Sequence, residues 1–566
     1  ESTATNKNSL YDSYIRAFKW ASQRIDDDGV IGFITNNSWI DGSATDGFRK
    51  CLQDEFAKIY VVNLRGNSRT SGERARKEGG NIFDVRVGVT IVILVKQRSE
   101  NSNSKIFYCD IGDYLKKDEK LSKIRNYGSI SGIRKIGNFL EIVPDSNNDW
   151  INQTDKTFDQ FTLLGSKEGK TDEVVFNNYS RGLSTSRDAW CYNYSLSKLK
   201  SNTAQMVKFY NAELDHFVNK NLDTSDKNII TNDSRNISWN RSLYNYFKNK
   251  HRITIDENKY FEGLYRPFTL SNVYFEKHLN DMMYQNNKLF PSPSAENLVI
   301  CVSGIGSGGD FSCLMSNCIA NLHAVPTGQC FPLYLYDDSQ NSSDLFSKIN
   351  TDQVREYGLS NKFLTTVRAK FNNQNITPET LFYYVYGILH SPDYHSRYKT
   401  NLAKQMPRIP IVNNYGDFIS FSDAGTQLSD FHVHFNKADK YPVTIKEGDL
   451  RLLSIEDPMN FYRVEKMRFV SKKDKSSIKF NKKITINNIP LDAYEYVIGG
   501  KSAVEWVMEK QIYKTDRASG IINDANDYAN ETMNNPAYPL ELLQRVITVS
   551  LETMKIVKSL PKLDID

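Results

Sequence analysis

Apolar positions between Leu10 and Ile25 recur at helical spacing, with Leu10, Tyr14, Ile15, Phe18 and Trp20 as expected core positions. An acidic turn, Asp26-Asp27-Asp28-Gly29, then leads into Val30-Ile31-Gly32-Phe33-Ile34-Thr35. That continuous apolar run has strand length and suits a parallel strand covered on both faces. Asp46 to Phe56 returns to helical spacing, Lys58 to Leu64 reads as a second strand, and Val87 to Val95 as a third. A basic, glycine-containing loop, Arg65 to Gly80, joins the last two strands. Helices alternating with buried apolar strands predict a doubly wound α/β sheet.

The pattern then changes. Residues 98–104 are polar and read as a surface turn, and 105–165 continue with a short strand and a charged helix. Beyond about residue 170 the periodicity becomes irregular and rich in Asn, Ser and Tyr, which predicts a large α+β region. A break around Asn436-Lys437-Ala438-Asp439-Lys440-Tyr441-Pro442 divides it. The expected layout is therefore 1–150, 151–435 and 436–566. No repeat with a period of 20–50 residues is apparent.

A formal charge of +5 over 566 residues is too small to announce a nucleic-acid partner, so any such surface must be a local patch. Seven scattered cysteines without a repeated CxxC argue against a disulfide framework and for a reducing cytoplasm. No apolar run has the length of a membrane span. The start, Glu1-Ser2-Thr3-Ala4-Thr5, lacks Met and runs into a helix; the chain is expected to begin inside a longer protein.

Three features follow in order: the helix around Tyr14, the strand exit Thr35-Asn36-Asn37-Ser38, and Phe83 before the last strand. In open α/β sheets ligands bind beyond the carboxyl ends of strands, where short polar groups can rim a pocket. The order resembles the later motifs of the N6-adenine DNA methyltransferases over residues 9–96, which implies a partial S-adenosylmethionine-dependent methyltransferase fold. By that resemblance Tyr14 and Asn36 would line the S-adenosylmethionine site, and Phe83 would stack on a flipped adenine. Flipping suits the chemistry, since the reacting amine is inaccessible inside a duplex. Taken singly, Tyr14 and Phe83 also fit plain packing. The family's catalytic tetrapeptide, Asp/Asn/Ser-Pro-Pro-aromatic, is absent. Asn535-Pro536-Ala537-Tyr538 comes nearest and reads as a turn. The resemblance thus places the catalytic motif upstream, and this chain alone is not expected to transfer a methyl group. Arg65, Arg69, Arg74, Arg76 and Lys77 in the basic loop suit phosphate contacts beside the pocket, or a solvated surface.

Longer strings mark the second half: Tyr179-Ser180-Arg181-Gly182-Leu183-Ser184-Thr185-Ser186-Arg187-Asp188-Ala189-Trp190, Leu264-Tyr265-Arg266-Pro267-Phe268, and Gly328-Gln329-Cys330-Phe331-Pro332. Tyr386-Gly387-Ile388-Leu389-His390-Ser391-Pro392 and Tyr494-Glu495-Tyr496-Val497-Ile498-Gly499-Gly500-Lys501 complete the set. Together they resemble the C-terminal half of the Type ISP restriction–modification enzymes. The resemblance implies a target-recognition domain for double-stranded DNA with a short asymmetric target. Nuclease, ATP-driven translocase and methyltransferase segments would precede it in the same polypeptide, with ATP and Mg²⁺ used only by the full-length protein. A standalone DNA specificity subunit, and a methyltransferase-like fold acting on RNA or protein, are the alternatives.

Base readout needs Arg, Asn, Gln or small polar groups at groove edges. Arg181, Ser184, Thr185 and Arg187 are the expected DNA contacts, unless their segment is an interdomain loop. Arg266 is either a further contact or a structural ion pair. The lysines from Lys472 to Lys483 suit phosphates or a solvated face. Gly304-Ile305-Gly306-Ser307-Gly308-Gly309 has no convincing helix after it and reads as a turn or close-packing site. Cys313, Cys318, Cys330 and His323 lack zinc spacing, and His432 and His434 share one face of a possible strand without a third ligand. No metal is expected.

Overall fold

The computed structural model describes residues 2–3, 7–69, 72–97, 104–166, 173–307, 310–336, 355–448, 455–471 and 474–565, with 72–74 as backbone alone. Residues 1–156 and 157–566 form two compact units.

In the first unit the predicted helices and strands form close to their expected bounds: α1 (Ser13–Ser22), β1 (Gly29–Asn36), α2 (Asp46–Glu55), β2 (Lys58–Arg65) and, after a helix α3 (Gly72–Glu78) inside the span Arg65–Gly80 expected to be a loop, β3 (Val89–Lys96). β4 (Lys105–Asp110), α4 (Lys117–Tyr127), α5 (Ile130–Ile136) and β5 (Leu140–Ile142) follow. The sheet order is β1-β3-β2-β4-β5. β3 runs against both β1 and β2, while β2 and β4 are parallel, so β1, β2 and β4 share a direction. The sheet is mixed, and β1 departs from the buried parallel strand expected of its apolar run. Among the described residues it pairs only with β3, antiparallel and at the sheet edge, leaving Val30 64% and Ile34 58% exposed. An apolar run reports what a strand can bury; it does not specify the neighbour that buries it. Phe18 packs edge-on against Phe33, Trp39 and Phe48 and anchors α1 to the sheet. Trp20, also expected in the core, is 56% exposed and lies under the Arg24 guanidinium.

Among the described residues the second unit carries three four-stranded sheets, of which two hold the sequence-marked strings. One comprises β6 (Ser180–Arg181), β10 (Val299–Val302), β11 (Cys313–Ser316) and β13 (Gln329–Pro332). The other comprises β7 (Tyr192–Asn193), β8 (Tyr260–Arg266), β9 (Thr269–Tyr274) and β12 (Ile319–Ala320). Their helices have well-formed starts. Ser195 caps α6 (Leu196–Asn219), and Asn240 caps α7 (Arg241–Lys248). Thr377 caps α8 (Pro378–Ile388), with proline in the first turn. Asn414 caps α9 (Tyr415–Val433), and a Ser502/Glu505 capping box opens α10 (Ala503–Lys510). α8 and α9 cross at two glycines: a β-carbon at Gly425 would stand 1.9 Å from the Tyr383 carbonyl oxygen, and one at Gly387 2.1 Å from that of Phe421. The long last helix, α11 (Tyr538–Ser559), packs against both α9 and α10. Residues on both sides of 435/436 enter one apolar cluster, in which Phe268 meets Phe435 and Tyr496.

A buried polar network sits where α8, α9 and α11 meet. The imidazole of His432 lies 2.6 Å from the Tyr386 hydroxyl at Nδ1 and 2.9 Å from the Thr553 hydroxyl at Nε2, and stacks on Tyr496. His432 therefore belongs to the last turn of a helix, not to a strand. Burial holds His432 well below the usual imidazole range and pushes His390 down to about 4. Both rings are neutral in the folded chain and gain protons on unfolding. Their stabilisation is full above the unfolded value of about 6.5 and is lost as pH falls from there through the folded values, roughly 2 kcal/mol at pH 5 for His390 alone. Urea unfolding should accordingly show lower stability at pH 5 than at pH 7, with a smaller drop in His390→Gln. Equal stability at the two pH values would refute this account.

Candidate functional site

The exit of β1 is a braced platform. Asn36 Oδ1 accepts the Ser38 backbone N–H at 2.9 Å, and Thr35 Oγ1 accepts the Trp39 indole N–H at 3.2 Å. Tyr14 reaches across from α1, its hydroxyl 3.4 Å from Ser38 Oγ, and burial raises its phenol. Beneath them lies the fully buried guanidinium of Arg49. It donates to the carbonyls of Asn148 (2.7 Å), Trp39 (3.1 Å) and Gly42 (2.8 Å) and to Asp149 Oδ1 (2.6 Å). One side chain thus fixes the whole 37–45 loop.

A polar chain crosses the carboxyl ends of the three co-directional strands. The Asn37 amide donates to Asn63 Oδ1 (2.9 Å), the Asn63 amide to the Tyr108 hydroxyl (3.0 Å), and Tyr108 to Asp110 Oδ2 (3.1 Å). Arg65 Nε donates to Asp110 Oδ1 at 2.7 Å, and its Nη1 pairs with Asp113. Gly88 makes room for it, since a β-carbon there would lie 2.4 Å from the Asn37 amide nitrogen. Asn63 and Tyr108 escaped the sequence reasoning; the recurring signal was a polar residue at the end of each apolar strand.

Phe83 stands on a turn built by Asn81. The Asn81 amide donates to the carbonyls of Gly66 (3.0 Å) and Val87 (2.7 Å), and its Oδ1 accepts the backbone N–H of Phe83 (2.9 Å) and Val85 (3.3 Å). Phe83 is 51% exposed on this fixed support. Because Asn36 is the register partner of Val89, the turn lies beside the platform. The basic loop is divided in its roles. Arg65 is engaged by two aspartates, and Lys77 lies 3.9 Å from Asp113. Arg69 and Arg76 are exposed, and the Arg74 side chain, with Thr70, lies outside the described residues. The buried Lys120 ammonium donates to the carbonyls of Leu64 (2.9 Å) and Glu78 (2.8 Å), clamping both ends of the loop.

In the second unit the expected contacts separate. Arg181 lies over the Tyr284 ring at 5.5 Å, and Ser184 exchanges backbone hydrogen bonds with Met282. Thr185 is buried and donates to Asp188 Oδ1 at 2.5 Å. Arg187 is 4% exposed, and its three guanidinium nitrogens have no hydrogen-bond partner among the described residues. As placed, Thr185 and Arg187 present nothing to a ligand. Gly182 serves packing rather than groove approach: a β-carbon would meet the Asn321 carbonyl oxygen at 2.7 Å. Arg266 is held by Asn321 Oδ1 (2.8 Å), the Tyr265 carbonyl (2.6 Å) and Asp188 (3.4 Å), the structural pairing.

The remaining motifs are structural. A β-carbon at Gly304 would lie 2.4 Å from the Thr327 carbonyl oxygen, a close-packing position; Gly308 and Gly309 lie outside the described residues. Cys301 and Cys330 approach to 3.6 Å, and Cys313 faces His390. Among the described residues no group of three His, Cys, Asp or Glu can hold a metal, and no helix is long and apolar enough to cross a membrane. Lys475 pairs with Glu505 at 2.8 Å, while Lys472 and Lys473 lie outside the described residues. The stretch from Asn535 turns into α11, with Tyr538 buried.

Residues 174–542 match the family model of the Type ISP C-terminal specificity domain. Among solved structures, the ATP-dependent Type ISP restriction-modification enzyme LlaBIII bound to DNA is 37% identical with a TM-score of 0.82, covering 100% of this chain and 35% of that one. A nuclease-deletion mutant of the Type ISP enzyme LlaGI, in complex with a DNA substrate mimic, is 36% identical with a TM-score of 0.81, covering 100% of this chain and 49% of that one. A DrdV–DNA complex is 28% identical with a TM-score of 0.76, covering 99% of this chain and 53% of that one. No curated protein sequence matches. The chain therefore spans between about a third and about a half of those relatives. With its specificity-domain match and its end-to-end structural likeness to LlaBIII and LlaGI, the chain belongs to the Type ISP family of restriction–modification proteins.

Proposed function

We propose that this chain recognises a short asymmetric sequence in double-stranded DNA and guides adenine-N6 methylation by the longer polypeptide of which it forms part. What carries the proposal is the specificity-domain match over residues 174–542, together with the DNA bound in the related structures. In the full-length protein, upstream segments would add the catalytic tetrapeptide, an ATP- and Mg²⁺-dependent translocase and the nuclease.

The first unit would supply one wall of the base and cofactor pocket. Three observations support this: the Tyr14–Ser38–Asn36 platform at a strand exit, Phe83 exposed on a fixed turn beside it, and the open edge of β1 onto which further strands would add. Hydroxyl and carboxamide groups of this kind fit the amino-acid and adenine ends of S-adenosylmethionine, which when bound supplies an electrophilic methyl group. Tyr14 and Asn36 would orient that cofactor, and Phe83 would stack on an extruded adenine.

The test is selection of random duplexes by the full chain near physiological salt, followed by sequencing. Enrichment of one short, asymmetric, adenine-containing motif is expected. Retention without enrichment would mean the chain grips only phosphates, and target reading would then lie elsewhere.

A further inference from the structure

A cleft of about 600 Å³ opens in the second unit between α7 and the 224–227 loop. α7 buries Leu243 and Phe247 and turns Arg241, Tyr244, Asn245 and Lys248, at i, i+3, i+4 and i+7, toward the cleft. Lys227 faces them from the loop, its ammonium 4.7 Å from the Tyr244 ring, and Trp239 stacks behind that ring. Arg241, Lys227 and Lys248 are all exposed, and none is ion-paired among the described residues. Lys198 and Arg252, by contrast, are paired with Asp527 and Asp215. What sets these three cations apart is that they converge on one concave wall.

Acidic groups offset this charge only in part. Asp281 lines the cleft as one carboxylate against three cations, held in place by the Ser186 hydroxyl at Oδ2 (3.1 Å) and the Asn240 amide at Oδ1 (3.1 Å). Asp223, kept ionised by the hydroxyl and backbone N–H of Ser225, interacts with Lys248 but does not line the cleft. The buried guanidinium of Arg187, without a hydrogen-bond partner among the described residues, lies within electrostatic reach of Asp281. Asp281 and Met282 also bind the recognition segment directly, through Ser186 and through the backbone pairing of Ser184 with Met282. The cleft and the sequence-marked segment are therefore one continuous structure.

We propose that this cleft is a phosphodiester site: Lys227, Arg241 and Lys248 grip the backbone of a bound duplex beside Ser184 and Ser186, and thereby set its register. The proposal rests on the DNA-recognition reading above. It assigns phosphate contact to residues that neither the basic loop of the first unit nor the lysine run after 470 contains. Such contacts position a duplex without reading it.

The test compares the full chain with a K227Q/R241Q/K248Q variant in duplex-binding titrations over a range of salt. The three residues are exposed, so thermal melting should match wild type, and Lys555→Gln, an exposed ion-paired lysine, is the charge control. Each lost phosphate contact removes about 0.9 from the slope of log K against log salt. The triple variant should lose between two and three from that slope and bind target and non-target duplexes about tenfold or more weakly at low salt. The ranking of sequences should be unchanged. Unchanged affinity and slope in the variant, with wild type binding normally, would overturn the cleft assignment and leave the DNA reading intact. Failure of wild type to bind any duplex would instead sink the DNA reading, and the cleft with it. If the variant loses only stabilisation by inorganic phosphate and keeps wild-type duplex affinity, the cleft holds a free anion and the proposal fails.

Discussion

Gly425→Ala is expected to cost the second unit about 3 kcal/mol or more, beyond the usual range for one added methyl group, because the methyl has nowhere to go. Its β-carbon would sit 1.9 Å from the Tyr383 carbonyl oxygen and 3.0 Å from the Gly387 backbone nitrogen. Both obstacles are backbone, so no side-chain rotamer relieves the overlap; α8 and α9 must separate. That separation loosens the cluster of Phe382, Tyr384, Val385, Phe421 and Leu428, all at 0% exposure. Close-packed interiors resist such shifts. Gly387→Ala should behave alike, since its β-carbon meets the Phe421 carbonyl oxygen at 2.1 Å. Ser420→Ala, on the exposed face of α9, should stay within about 0.5 kcal/mol of wild type. Urea unfolding of the three variants decides the matter, and a Gly425→Ala chain as stable as Ser420→Ala would mean the two helices do not cross as described.

The second large effect is expected in the first unit. Arg49→Met keeps much of the volume but leaves Asp149 buried without its guanidinium and takes the donor from the carbonyls of Trp39, Gly42 and Asn148. Breaking a buried pair on one side costs about 3–5 kcal/mol. Arg49→Lys should recover little, because a single ammonium cannot span four acceptors. Hydrogen exchange followed by mass spectrometry reads the two units separately. Peptides from residues 31–64 should exchange much faster in Arg49→Met, while those from 378–433 stay as in wild type. Unaltered exchange over 31–64 would show that the platform does not depend on this side chain.

The local elements of the first unit were legible because each apolar run is bounded by a turn: Asp26 to Gly29 before β1, and the Arg65–Gly80 loop after β2. Strand direction was not, since periodicity is blind to orientation; nothing in Val89–Lys96 says that it runs against its two neighbours. Among the site residues, Tyr14 and Asn36 do meet around Ser38, and Phe83 is held out beside them, because strand ends and turns are set locally. Arg65, Thr185, Arg187 and Arg266 show the opposite case. Asp110 for Arg65, and Asn321 and Asp188 for Arg266, lie nearby only once the chain has folded; Thr185 is spent on its near neighbour Asp188, and the Arg187 side chain is simply covered. A residue type advertises a capability, and tertiary contacts decide whether it is spent internally. The Arg241–Lys248 cleft was invisible for the same reason, since its cations are separated by ordinary helix and loop residues.

The bare flank of β1 has a practical consequence for handling the protein. Gly29-Val30-Ile31-Gly32-Phe33-Ile34-Thr35-Asn36 contains neither charge nor proline, the usual guards of a sheet margin. Its outward row of amide and carbonyl groups is a ready template for another extended segment, including the same strand of a second molecule. Concentrated samples should therefore self-associate along this margin, and light scattering should report larger particles as concentration rises. A lysine at Val30 or Ile34, both already solvent-facing, is the remedy the geometry suggests for keeping the chain monodisperse.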